Sequence, residues 1–315
     1  GDVPNSSLNQ LRYLPYFRGL KEIYIEGDDV MGACNPSFSK AFYGHTSLGI
    51  ENLDGLESLY PFIRNLKVLT IKNCENIKSL PDKLQDLNSL DKLHIGNCPG
   101  IESIRAGGLP LNLTSLQIDN CPGIESIPDC GFPPNLRKLT INCENLKKPM
   151  QEWGLSSLTS LLTFEIHWIC PPDNVLPTSL TRLVVRKVEN MKFIPRGLLQ
   201  NLSSLQDLEI WDWPKLQRLP KEALPASLQM LRIWRCNNFQ SLPNKVLPPS
   251  LQRLFIHHCR NFQALPKEGL PPLLERLLII CCPLLQRRCM EEIGDYWPLI
   301  AHIPLVWVEL TRCWD

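Results

Sequence analysis

One recurring phrase constrains this chain more than anything else in it: L-x-x-L-x-I-x-x-C-x-x-L-x-x-L-P. One copy runs Leu66, Leu69, Ile71, Cys74, Ile77, Leu80, Pro81. Others run Leu228, Leu231, Ile233, Cys236, Phe239, Leu242, Pro243 and Leu251, Leu254, Ile256, Cys259, Phe262, Leu265, Pro266. The first Leu of each unit falls at 66, 90, 113, 136, 161, 180, 205, 228, 251 and 274, so the spacings are 24, 23, 23, 25, 19, 25, 23, 23 and 23. A unit this short cannot bury an apolar face alone, so its neighbours must stack on it.

The interior of the unit is readable position by position. The second Leu and the Ile are two residues apart and share one side of a short strand, while the residues between them face out. Stacked units place these strands side by side in a parallel sheet. The following Cys, at 74, 98, 121, 236, 259 and 282, suits an interior ladder because it is small and readily buried. Cys143 fills the place in a unit one residue short, Cys170 is displaced by one, and Val188 and Trp213 stand there in the next two units. The return carries Gly-Leu-Pro-Pro, Val-Leu-Pro-Pro or Ala-Leu-Pro-Ala segments. Proline fixes φ and lacks a donor, so the return is extended or turn-like with little helix. The expected fold is a leucine-rich-repeat solenoid, a right-handed horseshoe of the α/β type. Its parallel strands line the concave face, and its convex side is proline-rich and helix-poor.

The regular array spans 61–285, with about ten repeats of ~23 residues. Residues 1–60 read as degenerate N-terminal repeats: Leu20, Ile23 and Ile25 make a fair copy, and Leu48 to Leu59 fits no single register. Residues 286–315 read as a C-terminal cap, with helix-compatible residues from Leu284 to Gly294 and with Trp297 and Ile300 packing on the final repeat. The 13 cysteines contain no C-x-x-C pair, and most sit at one repeat position, which favours packed, reduced thiols over disulfides or zinc sites. No run approaches ~18 apolar residues, so no membrane span is expected. Sequons at Asn5, Asn112 and Asn201 matter only in a secreted chain.

The net charge of +1 conceals an asymmetry. Residues 180–288 carry 17 − 7 = +10, whereas 1–60 and 289–315 each carry −4 (4 − 8 and 1 − 5). The basic third suits an acidic partner. Outward strand positions from His167 to His258, overlapping this third, concentrate aromatic and basic residues: His167, Trp168, Arg186, Lys187, Trp211, Trp234, Arg235, Phe255, His257 and His258, with Glu165, Glu209, Arg232 and Asp212 beside them. Large rings and guanidinium groups anchor protein interfaces, so these are the candidate partner-binding residues. The alternative is that the rings stack on one another and on Arg186 or Arg235 as internal cation–π ladders. His257 and His258 are adjacent strand-end residues expected to point apart, a poor arrangement for a metal. No G-x-S-x-G, H-E-x-x-H or paired-carboxylate pattern is present, so an enzyme is not expected.

The repeat, its Leu-Pro-Pro-Ser-Leu-Gln linkers, the ending Gly294-Asp-Tyr-Trp-Pro-Leu-Ile-Ala-His-Ile-Pro304, and the stretch Leu20-Lys-Glu-Ile-Tyr-Ile-Glu-Gly27 with Ala41-Phe-Tyr-Gly44 resemble one family. They are similar to the C-terminal domain of plant intracellular nucleotide-binding leucine-rich-repeat disease resistance proteins, of the coiled-coil, RPP13-like class. The resemblance implies a cytoplasmic or nucleocytoplasmic protein-recognition module. Its partners would be a pathogen effector, or a host protein the effector modifies, and the receptor's own nucleotide-binding module. No nucleic acid partner is expected. The chain lacks a G-x-x-x-x-G-K-[ST] loop, so ADP or ATP would bind only in a module upstream and this chain needs no cofactor of its own. Two other readings remain: the substrate-recognition arm of a ubiquitin-ligase adaptor, or a truncated, non-signalling receptor fragment. An extracellular receptor ectodomain is disfavoured by Cys, in place of Asn, at the turn.

Overall fold

The computed structural model describes residues 22–26, 47–51, 66–80, 84–104, 108–127, 131–220, 224–242, 244 and 247–309. The chain forms two compact units, Gly1–Leu161 and Leu162–Asp315. Among the described residues the first contains six strands, β1 (Glu22–Glu26), β2 (Ser47–Glu51), β3 (Val68–Lys72), β4 (Lys92–Gly96), β5 (Ser115–Asp119) and β6 (Lys138–Asn142). The second contains seven, β7 (Thr163–His167), β8 (Arg182–Arg186), β9 (Asp207–Trp211), β10 (Met230–Trp234), β11 (Arg253–His257), β12 (Arg276–Ile280) and β13 (Leu305–Glu309). Each strand pairs in parallel with its sequence neighbour in the same unit, without slippage: Leu69 meets Leu93, and Leu231 meets Leu254. This is the leucine-rich-repeat solenoid that the repeat predicts. Each of the ten regular repeats starts its strand two residues after its first Leu.

The register follows from the pattern. Second and fourth strand residues, such as Leu93 and Ile95 or Leu254 and Ile256, are fully buried. A one-residue slip would exchange them for Lys92 and His94, so burial fixes the pairing. The returns are short turns. In Pro110–Leu113, Pro133–Leu136, Pro225–Leu228, Pro248–Leu251 and Pro271–Leu274 the Leu amide donates to the carbonyl of the Pro three residues back. That Leu begins the next repeat, so one turn both reverses the chain and delivers its first core residue. Among the described residues the only α-helical pieces are Pro283–Gln286 and Trp297–Ile300, four residues each.

The cysteines close the interior. Cys74, Cys98, Cys121, Cys236, Cys259 and Cys282 each donate from Sγ to the carbonyl two residues back, at 3.1, 3.2, 3.3, 3.4, 3.5 and 3.4 Å. The thiol therefore satisfies the last carbonyl of its own strand where the chain turns inward. Val188 and Trp213 are also buried, and the Trp213 indole donates to the Met191 carbonyl at 2.7 Å. Nine described cysteines are free and buried. Cys281 departs from the expectation of reduced thiols: it is disulfide-bonded, with a partner outside the described residues. It stands one place before the ladder, directly after β12, buried and in left-handed backbone with φ of 54°.

Strands also form at the two ends, the first of them in the fair copy of the repeat at Ile23 and Ile25. Ile23 and Ile25 lie in β1, whose neighbour β2 pairs Leu48 with Ile23. The stretches Asp28–Thr46 and Asn52–Leu59 lie outside the described residues. At the other end, the helix expected over Leu284–Gly294 is limited to Pro283–Gln286 and a 3-10 turn at Arg287–Cys289. Ile300 is fully buried, and Trp297 is partly so. Leu305–Glu309 then continues the solenoid as β13, with Leu277 opposite Val306 and the Leu305 amide on the Glu275 carbonyl at 3.0 Å.

Burial pushes the thiols of Cys143, Cys170, Cys236 and Cys289 up from 9.0 to about 12. A raised folded pKa favours the neutral thiol, so this stabilisation is complete below pH 9 and is lost as pH climbs toward 12. Chemical denaturation between pH 8 and 11 should show falling stability, and Cys236→Val should flatten the fall. Equal slopes in both proteins would refute the ladder's role.

Candidate recognition surface

In the second unit the third and fifth positions of β7–β13 each form an outward row. The fifth strand residues are His167, Arg186, Trp211, Trp234, His257, Ile280 and Glu309; the third are Glu165, Val184, Glu209, Arg232, Phe255, Leu278 and Trp307. Parallel pairing sets like positions about 4.8 Å apart, close to the stacking distance of flat groups. The fifth row uses this. The Arg186 guanidinium lies 4.4 Å above the Trp211 ring centroid, Trp211 stacks on Trp234 at 4.5 Å with 9° between planes, and Trp234 stacks on His257 at 4.0 Å and 21°. The internal ladder therefore forms. Trp211 and Trp234 are partly buried, and they present ring edges as one continuous ridge instead of two open faces.

Charge locks the ridge in place. Glu209 is only 1% exposed. Its Oε1 accepts from Arg182 Nη2 at 2.7 Å and Arg232 Nη1 at 2.9 Å, while its Oε2 accepts from the Trp211 indole at 2.9 Å. A buried carboxylate needs such partners, because desolvation without them costs several kcal/mol. Arg232 then lies 5.3 Å from the Phe255 centroid. On β7 and β8, Glu165 Oε1 stands 3.1 Å from His167 Nε2 and 2.7 Å from Arg186 Nε; the latter lies off the N–H line and is an ionic contact without a directed hydrogen bond.

The remaining candidates occupy a different place. Trp168, Lys187, Asp212, Arg235 and His258 each follow a strand with φ of 70, 55, 51, 53 and 52°. The cause is in the backbone: each amide donates to the last carbonyl of the next strand, at 2.9–3.0 Å. Their side chains leave the strand face and border a groove of about 660 Å³, together with Glu189, Pro214, Asn237 and Arg260. Lys187 Nζ lies 4.6 Å from the Trp168 ring centroid. The left-handed turn also overturns the expectation that His257 and His258 diverge. Their ring centroids are 4.3 Å apart, and the two Nδ1 atoms are hydrogen-bonded. Burial, then the neighbouring His258, holds the His257 pKa down to about 4, and burial with Arg235 and Arg260 lowers that of His258. Among the described residues no group of three or more His, Cys, Asp or Glu side chains is placed to hold a metal ion.

Reading the sequence missed the end of the third row. Trp307 is 55% exposed and Leu305 46%, beside Leu278. The signal was Ile303-x-x-Val306-x-Val308, the repeat written with β-branched residues. The first unit presents a plainer surface. Its fifth row is Lys72, Gly96, Asp119 and Asn142, and its left-handed turns are Asn73, Asn97 and Asn120.

Ladder, sheet and turns together define a leucine-rich-repeat solenoid with one chemically distinct outward face. No family model matches the chain. A stretch of 166 residues is 32% identical to an Arabidopsis thaliana protein whose name provisionally assigns it to disease resistance; the match takes in 51% of this chain and 10% of that protein. Two solved structures share the fold at 15% identity. One is the TLR13–ssRNA13 complex, with a TM-score of 0.54 over 96% of this chain and 53% of that one; the other is the Drosophila Toll–Spatzle complex, with 0.52 over 96% and 38%.

Two outcomes test the geometry. Glu209→Ala strands two guanidinium groups and an indole, and should lower unfolding free energy by about 2–4 kcal/mol in urea titrations; a change below about 0.5 kcal/mol would remove Glu209 as the lock. The depressed His257 pKa favours neutral imidazole, so its stabilisation is present above pH 6.5 and disappears as pH falls toward 4. Melting curves over that range should flatten in His257→Gln.

Proposed function

We propose that this chain is the protein-recognition module of a plant intracellular immune receptor. It senses a pathogen effector, directly or through a host protein the effector modifies, and it restrains the receptor's nucleotide-binding module. The stacked ridge from Arg186 to His257 carries this reading. Rigid rings bury large area with little loss of conformational freedom, and Arg beside them adds directed donors. The similarity to a protein named for disease resistance supports the plant-defence context. The role is binding without catalysis, with nucleotide left to a separate module.

The proposed setting is the cytoplasm. No helix among the described residues is long and apolar enough to cross a membrane. Nine described free thiols suit a reducing compartment, and the disulfide at Cys281 runs against it.

Co-purification with candidate effectors tests the reading. Trp234→Ala leaves the Glu209 contacts in place and removes the middle of the ridge. It should weaken capture by about 2 kcal/mol, or roughly thirtyfold, and abolish effector-dependent cell death when the chain is part of its receptor, with an unchanged circular dichroism spectrum. Normal capture and normal cell death would show that recognition lies elsewhere.

A further inference from the structure

The left-handed row is filled differently in the two units. Asparagine tolerates positive φ better than other residues with a side chain, and the first unit uses it three times in succession. Asn97 Nδ2 donates to Asn73 Oδ1 at 2.8 Å, and Asn120 Nδ2 to Asn97 Oδ1 at 3.0 Å. The second unit holds the same backbone with the same amide-to-carbonyl bonds, yet places Trp168, Lys187, Arg235 and His258 in it. These side chains tolerate positive φ less well than asparagine does. Strain of this kind persists where the surroundings impose it and is concentrated at functional sites. Here the strained residues border the groove.

We propose that this groove binds an extended, acidic segment of a partner protein, its carboxylates about three residues apart and set against Lys187, Arg235 and Arg260. The proposal deepens the recognition reading and rests on it. Lys187 and Arg235 stand two repeats apart, or about 10 Å at one strand spacing per repeat, and three residues of extended chain cover the same distance at about 3.3 Å each. The Trp168 ring and Pro214 give the segment apolar surface to lie on. Arg235 is 63% exposed and only 3.8 Å from Asp212, a loose pair that an incoming carboxylate displaces at little expense. The +10 charge of residues 180–288 draws an acidic partner toward the groove. Glu189 and Asp212, interleaved with the cations, select against an uninterrupted polyanion, so the groove fits a protein segment with spaced acids better than a nucleic acid strand.

A fluorescein-labelled peptide with Glu at every third position is the probe. It is compared in anisotropy titrations with its Gln counterpart and with labelled oligouridylate. The Glu peptide should bind the whole chain at least about tenfold more tightly than the Gln peptide, and Arg235→Glu with Arg260→Glu should weaken it by at least about tenfold. In NMR titrations the His258 pKa should rise as the peptide binds, because carboxylate offsets Arg235 and Arg260, the cations that face it beside His257. Lys187→Asn, Arg235→Asn and His258→Asn combined should raise the melting temperature by relieving the left-handed strain, and at the same time abolish peptide binding. Equal binding of the Glu and Gln peptides, absent binding, unchanged binding in the Asn variant, or tighter oligouridylate binding that the Arg variants remove would each overturn the proposal. Trp234 meets the groove only through its stack on His258, 6.3 Å between ring centroids, so Trp234→Ala, which keeps Lys187, Arg235 and Arg260, should leave peptide affinity nearly unchanged. Groove failure with effector capture intact therefore sinks only the groove, and loss of capture with peptide binding intact leaves it standing.

Discussion

Everything in this molecule depends on one constraint: successive strands pair in parallel with no offset. Whatever occupies a place in one repeat lies against the same place in the next, about 4.8 Å away. Each position in the repeat therefore becomes a column. Leucine and isoleucine columns make the core, a cysteine column closes the turn, and an asparagine column joins side chains across turns. The columns are physically independent of one another. The outward ones can change while the apolar ones hold the register.

That independence explains how a charged, aromatic surface coexists with a regular interior. Glu209 is nearly fully buried on the outward side of β9, where Arg182, Arg232 and Trp211 satisfy its carboxylate. The ridge above it is organised twice over, by stacking along its own column and by this carboxylate from the adjacent one. A surface held in this manner meets a partner with little ordering left to do, which favours affinity for a given area.

The sequence disclosed the interior more fully than the surface. Ten first leucines located ten strands, because apolar burial is a property that single residues carry. β2 and β13 were obscure for a physical reason: Leu48 and Ile50 lack a Leu three residues upstream and a Cys downstream, and β13 substitutes Val306 and Val308. The ten candidate surface residues divide among three backbone positions. Five belong to the fifth strand position, Phe255 to the third, and Trp168, Lys187, Arg235 and His258 to the left-handed turn. Alternation along a strand says nothing about the residue beyond its end, where a backbone hydrogen bond decides direction. Asparagine before Cys74, Cys98 and Cys121 was the available clue to that turn.

The backbone bond at each left-handed turn has a consequence for how such a chain can change over generations. Its amide and carbonyl are present in every residue except proline, which lacks the amide, so the hydrogen bond that joins repeats forms with any other side chain, although asparagine holds the positive φ with less strain. A whole repeat can then be duplicated or deleted by unequal recombination and still dock on its neighbours. What shifts is the order of the outward residues, by one step along the row. Lineages carrying this architecture can rearrange a binding surface in units of one repeat, without first having to find a new fold.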